Sequence, residues 1–457
     1  MTANHLIPLP KQNGGILKQI RDTKKKLIEG LAKSETPTGW QDPSEEAAQS
    51  VWSAIEVLYS LVESGEIPTH FVSIYQRIVN AEKEVNVLSG WEYEGMPNHI
   101  SVHVTVDGIK LYFALKQLND LKRVLQSLQK MQNKDDGGWG VCDGDKISKV
   151  RSTSRVLTVL IMCMNFPMTE DLVDKVVVVK GLNWLYNAQN DTEGDYGWGN
   201  VSNTLPSNTS STLSALETLV EAAQYSISHK SNVLPVRVAS IKRGLEQIIA
   251  THANPEIRWQ SAREDFGINL EGEIIGRHVI AGGGTTLAAQ VLIKACALGY
   301  LDPSHESIYY SIGELIRRCK SYRHVNVLVP ADDAGTPVVW NSAFALDAFN
   351  MFERLYVQKI GGSYLEPLIY KALLKRAKWW QRISAILCIT IIVIFLLPYI
   401  NALAQIPRGF SGLPTLYQGI IMIFLGIAIE QIIEQVYRFF KARVGFFQNK
   451  AQDKEGE

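Results

Sequence analysis

The chain has 457 residues, 46 % of them hydrophobic and 20 % charged, a composition that excludes a disordered polymer and fits packed cores. Lysine plus arginine equals aspartate plus glutamate at 46 each, so there is no basic footprint for nucleic acid. The five cysteines, Cys142, Cys163, Cys296, Cys319 and Cys388, are scattered and odd in number. They form neither a disulfide framework nor a Cys-x-x-Cys metal site, and they suit a reducing compartment.

From the N-terminus, Met1 to Pro8 lacks the apolar core of a signal peptide. Residues 1–35 read as a polar lead with a basic helix over 18–31. Tryptophan markers then fall at Trp40, Trp91, Trp139, Trp198 and Trp259, spaced by about 50–60 residues, a period that means stacked helical hairpins. After the later markers a small or β-branched polar residue opens an apolar helix, as in Ser152-Thr153-Ser154, Ser211-Thr212 and Thr285-Thr286. A sixth unit without its tryptophan has Asp332-Asp333-Ala-Gly335 and then Asn341 to Leu346. Asn190, Asn200 and Asn208 match the glycosylation sequon but read as turn residues. His99 and His103, four residues apart in a β-branched and loop-like stretch, read as ordinary surface or pocket histidines. Gly282-Gly-Gly284 before a helix reads as a close-packed turn. It could also cradle an anion.

Two stretches are more specific. Arg123 to Gly140 and Lys180 to Gly199 share a basic residue, Leu, three residues, Gln, a polar turn, then Gly-Trp (Leu128, Gln132, Gly138-Trp139; Leu185, Gln189, Gly197-Trp198). The basic residue would favour the negative end of a helix dipole, and the Gln would bond backbone groups at a helix end. The glycines would allow a tight reversal, and the Trp would pack on the neighbouring hairpin. The order resembles the Gln-Trp repeat of squalene and terpene cyclases and their prenyltransferase relatives. That resemblance implies an all-α fold, an (α/α)6 toroid over residues 36–360.

The resemblance also sets the chemistry to look for. Class II terpene cyclases protonate an alkene or epoxide with an Asp-x-Asp-Asp motif followed by Thr-Ala. The nearest match is Pro330-Ala331-Asp332-Asp333-Ala334-Gly335, with Asp332 at the place of the proton donor and Asp333 beside it. The first Asp and the Thr-Ala are missing, and a helix cap or turn explains the pair equally well. No Asp-Asp-x-x-Asp motif for magnesium and diphosphate occurs. Cys142 and Asp143 have no histidine near enough in sequence to complete a zinc set. Neither a metal nor a cofactor is expected. In a toroid the loops before the inner helices converge on one mouth. Asp107, Asp143, Asp145, Arg151, Arg155 and His278 would gather there with Asp332 and Asp333.

Gly361-Gly362-Ser363 reads as a hinge, and residues 361–382 as a basic juxtamembrane helix. No charge occurs from Ile383 to Pro407 or from Gly409 to Ile429, and each run is long enough to cross a bilayer of about 20 helical residues. Lys371, Lys375, Arg376, Lys378 and Arg382 precede the first run, and Arg438, Lys441 and Arg443 follow the second. These flanks predict a two-helix transmembrane hairpin over 383–437. The toroid and both termini would be cytoplasmic, in a bacterial inner membrane. Glu430 reads as an interfacial residue at the end of the second span, and 438–457 as a charged tail. The expected partners are the lipid bilayer and an isoprenoid or other small apolar ligand, with no nucleic acid. Two functions are open: a class II cyclase acting through Asp332, or a non-catalytic toroid that binds a ligand or protein and signals to the hairpin.

Overall fold

Helices in this chain are started and stopped by local chemistry. The computed structural model describes residues 13–41, 50–94, 96–202, 204–230, 233–253, 259, 262–269, 271–281, 284–303, 305–319 and 339–355. In chain order the helices are α1 (Asn13–Lys33), α2 (Val51–Glu63), α3 (Phe71–Asn80), α4 (Val102–Ala114), α5 (Leu118–Lys130) and α6 (Val150–Met164). They continue with α7 (Lys175–Asn187), α8 (Thr209–His229), α9 (Val238–Ala253), α10 (Gly284–Ala297), α11 (Glu306–Arg318) and α12 (Val339–Met351). Ser50, Ser101 and Asn208 cap α2, α4 and α8 by accepting a bond from an amide of the first turn. Asn208 thus serves turn chemistry, as its sequence context implies.

The even-numbered helices form an inner ring. Each packs on the next, and α12 returns to α2 and closes the circle. An outer helix backs each one: α3 on α2, α5 on α4, α7 on α6, α9 on α8, α11 on α10 and α1 on α12. The two rings differ in pattern as their surroundings require. Outer α5 buries one stripe, Leu121, Val124, Leu125 and Leu128. Inner α4 is buried along almost its whole length, from Val102 to Leu111, because it meets helices on every side but the centre.

The N-terminal boundary differs from the sequence reading. α1 is the outer partner of α12, with Ile20, Leu27 and Leu31 fully buried in the common core, and Arg21 and Lys24 paired to Glu353 at 3.2 and 2.5 Å. The basic face that suggested a polar lead is only the solvent side of an amphipathic helix.

The tryptophan markers lie where an outer helix turns back into an inner one. In all five, the indole Nε1–H donates to a carbonyl in the last turns of the preceding outer helix. Trp40 donates to Leu31, Trp91 to Ile78, Trp139 to Leu128, Trp198 to Leu185 and Trp259 to Ile248, at 2.8–3.2 Å. Three of them also donate their backbone amide to a threonine hydroxyl in the following inner helix: Trp91 to Thr105, Trp139 to Thr153 and Trp198 to Thr212. Each ring removes about 150–250 Å² from water, worth roughly 4–6 kcal/mol.

Of the rest of the repeat, the Gln and Gly do the expected kind of work and the basic residues do not. Arg123 stands in the first half of α5 and pairs with Glu82 and Asp120. Lys180 is mid-helix in α7. Neither basic residue lies at a C-terminal dipole end. Gln132 donates to Gly137 O in its own turn and to Val177 O in α7, and Gln189 does the same toward Tyr196 O and Ser240 O of α9. The glutamine therefore links neighbouring hairpins. Gly137, at φ +86°, makes the reversal, whereas Gly181 is the flat spot on α7 against which the Trp139 ring lies.

Short antiparallel hairpins fill some outer-to-inner turns. They are β1 (Glu35–Thr36) with β2 (Gly39–Trp40), and β3 (Glu82–Val85) with β4 (Leu88–Trp91). A longer one, β5 (Ala262–Ile268) with β6 (Ile274–Ala281), joins α9 to α10. It reaches the loops that precede α4 and α6, on the far side of the ring. Ile268 exchanges bonds with the 145–146 backbone and side chain, and Ile275 packs on Met96, Val141 and Cys142. This strap crosses the rim. Among the described residues no helix is long and apolar enough to cross a membrane. Both apolar runs, Glu430, the 361–363 hinge and the tail lie outside the described residues.

Candidate functional site

Inner helices that point their N-termini to one end leave a cavity on the axis. It opens to solvent, and its space of about 840 Å³ includes part of that open solvent. All six inner helices line it, through residues of their first three turns.

Its walls are chemically distinct. On α2 and α12, Trp52 packs on Trp340 with ring centroids 5.5 Å apart, and Phe344 stands edge-on to Trp340 at 5.6 Å. On α4 and α6 the wall is cationic, with Lys110, Arg151 and Arg155. On α8 and α10 it is Ser210, Ser214, Glu217, Thr286 and Gln290.

Asp107 organises two of these walls from behind. Its buried carboxylate accepts from Trp52 Nε1 at 3.0 Å, pairs with Arg155, and lies 3.7 Å from Lys110 Nζ. Glu56 lies 3.4 Å from the same guanidinium. Burial raises both carboxyls, with opposite outcomes. For Asp107, Arg155 and Lys110 outweigh burial and hold it below the usual range. For Glu56, burial and the neighbouring Asp107 charge push it well above. Of the two, Asp107 is the carboxyl held toward its charged form and Glu56 the one pushed toward its neutral form.

Across the ring, Lys294 holds Glu217 at 3.1 Å and Glu221 at 2.5 Å. Burial raises the Glu217 carboxyl, but Lys294 more than offsets it, so Glu217 stays ionised. Asp347 of α12 lines the cavity without a cation partner among the described residues. Burial pushes it up to about 7.

Of the residues expected at the mouth, Arg151 and Arg155 line the cavity, and Asp107 stands behind the wall, paired with Arg155. Asp143 and Asp145 belong to the rim instead. Asp145 is buried and accepts from the amides of Val141, Ile147 and Ile268, which fixes the loop and the strap, although burial raises its carboxyl. Asp143 accepts from Ile100 N and lies 3.3 Å from His99 Nδ1. His278 is on β6, opposite Asp265 in register. Asp332 and Asp333 lie outside the described residues. Cys142 is buried, and burial raises its thiol. His99 and His103 do not share a helix face, because Ser101 starts α4 between them. His103 is buried, with Nε2 3.2 Å from Ser152 Oγ. Sequence reasoning missed Glu217, Lys294 and Asp347. The available signal was a charge inside a helix that is otherwise apolar on every side.

No family model matches the chain, and no curated protein is similar to it. Solved structures do share its fold. A cellobiose 2-epimerase from Bacillus thermoamylovorans is 10 % identical over 74 % of this chain and 99 % of its own, with a TM-score of 0.52. Another, from Spirochaeta thermophila, is 9 % identical over 76 % and 99 %, also with a TM-score of 0.52. A type II terpene cyclase from Scytonema is 12 % identical over 75 % and 100 %, with a TM-score of 0.45. At identities this low, the two epimerase structures with a TM-score of 0.52 show the fold alone: the protein is an α/α toroid.

Proposed function

We propose that the protein is a membrane-anchored α/α toroid that takes a small polar ligand into its central cavity and couples its occupancy to a C-terminal membrane hairpin. The observation that carries this reading is the cavity lining. A class II cyclase needs a dry, aromatic-lined chamber in which one carboxylic acid protonates an alkene. Here, among the described residues, the aromatic faces stand on the α2–α12 side and Leu287 adds an apolar side chain on α10, but hydroxyls, an amide and charged side chains are set among them. An isoprenoid would strip water from those groups and return no hydrogen bonds. A hydroxylated or charged molecule with one flat face would satisfy both kinds of wall. The uncharged runs over 383–407 and 409–429, with basic flanks, support the hairpin and a cytoplasmic toroid.

The test is a thermal-shift and calorimetric screen of the full chain in detergent against sugars, nucleotides, organic acids and geranylgeranyl diphosphate. Stabilisation by a hydrophilic compound, lost in Arg155→Met, is the expected result. Conversion of an isoprenoid to a cyclic product, abolished by Asp332→Asn, would establish the cyclase reading in its place.

A further inference from the structure

The cavity has an order along its axis that follows from where its helices begin. Four inner helices start eleven residues after their tryptophan markers: Val51 after Trp40, Val102 after Trp91, Val150 after Trp139 and Thr209 after Trp198. They therefore start at one level. The second residues of α2, α6, α8 and α12 are Trp52, Arg151, Ser210 and Trp340, which form an upper tier. Contact between the Trp52 and Trp340 rings at 5.5 Å puts α12 at the level of α2. The ninth residues of α4, α6, α8 and α12 are Lys110, Thr158, Glu217 and Asp347. At a rise of about 1.5 Å per residue, this lower tier lies about 10 Å deeper. Phe344, between the tiers, extends the two indoles into one aromatic face.

The charges around this axis answer one another. Arg155 pairs with Asp107 and lies 3.4 Å from Glu56, and Lys110 lies 3.7 Å from Asp107. Lys294 holds Glu217 and Glu221. With Arg151 and Asp347 these are four cations and five carboxyls among the described residues. Burial pushes Glu56 and Asp347 toward their neutral forms, so the set balances to within about one charge. A charged ligand would take a partner from one of these buried groups or stand against a like charge, and either is costly. A neutral hydroxyl donates and accepts at once. It can bond a carboxylate, a guanidinium, an amide or another hydroxyl and leave that balance unchanged.

We propose that the ligand is a neutral polyhydroxylated ring, a sugar or cyclitol. This rests on the reading of the cavity as a site for a small polar molecule, and it decides between a hydroxylated and a charged one. Such a ring has an apolar face of C–H bonds and an edge of hydroxyls. The face lies on Trp52, Trp340 and Phe344 and covers aromatic surface. The edge turns to Arg155, Ser214, Glu217 and Gln290, across the axis on α6, α8 and α10.

The test is calorimetric titration of the full chain in a detergent without a sugar headgroup. The neutral probes are glucose, mannose, galactose, cellobiose and myo-inositol. Glucuronate, glucose 6-phosphate and glucosamine are the charged counterparts. A neutral probe should bind at least about tenfold more tightly than any charged one. Its affinity should change less than about twofold between about 50 and about 500 mM sodium chloride, because no net charge is screened. Trp340→Ala should weaken it about tenfold or more. Glu217→Gln leaves Lys294 its bond to Glu221 and makes the cavity more cationic, so the preference should move toward glucuronate and glucose 6-phosphate. Tighter binding of a charged probe, an organic acid or a nucleotide by the wild type, with no neutral probe bound, overturns this class and leaves the polar-ligand reading standing. Failure of every hydrophilic compound to bind overturns both.

Discussion

Asp347 is a cavity carboxylate for which burial outweighs the nearby charges of Lys110 and Arg354, and its pH dependence follows from that. Its folded pKa, about 7, lies above the ordinary Asp value near 3.8. Between those values the folded protein binds a proton that the unfolded chain has released, so stability falls as pH rises from about 4 to 7. Asp347→Asn removes the effect. The variant should match wild type near pH 4 and exceed it at pH 8, by at most about 4 kcal/mol, since the half-buried group keeps some contact with water. Urea denaturation at both pH values decides this, and a constant difference would mean the carboxyl ionises normally. Nothing in the local sequence, Ala345-Leu346-Asp347-Ala348-Phe349, marks this role, because it depends on what five other helices bring to the axis. Asp107 and Arg155 were legible for a simpler reason: both are charges early in apolar inner helices. Asp143 and Asp145, in the polar loop before α6, serve backbone amides instead, since a loop carboxylate has unpaired N–H groups within reach.

At the scale of the element, the period of the tryptophans was legible and their bonds were not. Spacing shows that a large ring recurs at each turn. It does not show that the indole N–H closes off the preceding helix, or that glycines on other helices accept the ring. Gly108, in the interior of α4, makes the point testable. A Cβ there would stand 2.1 Å from the Trp91 ring. Helix propensity alone favours Ala over Gly by about 1 kcal/mol. Packing against a rigid ring fixed by its own hydrogen bond should reverse the sign, so Gly108→Ala should destabilise by about 1–3 kcal/mol. A rise in melting temperature would show that the ring yields. Helix α1 was misplaced for the opposite reason. Its lysines dominate the sequence, while Ile20, Leu27 and Leu31, the residues that decide its position, are few and widely spaced.

For the whole molecule, closure of the ring depends on the two ends of the described chain. Deleting residues 1–33 removes three fully buried aliphatic side chains, together about 5–9 kcal/mol of burial, comparable with the whole stability of a typical domain. The truncated protein should lose its cooperative thermal transition, as read by circular dichroism, whereas an unchanged melt would restore residues 1–35 to the status of an appended lead. The seam has a further effect on biosynthesis. Lys24 and Glu353 meet across 329 positions of sequence, while the intervening hairpins dock on near neighbours. Contacts of such separation form late, because the loop must be ordered before they return any energy. Trp52 and Trp340 face each other across the same seam. A nascent toroid therefore has no finished cavity until its last inner helix arrives, and a molecule lodged between those two rings would act as a keystone, making closure of the ring and capture of the ligand one event.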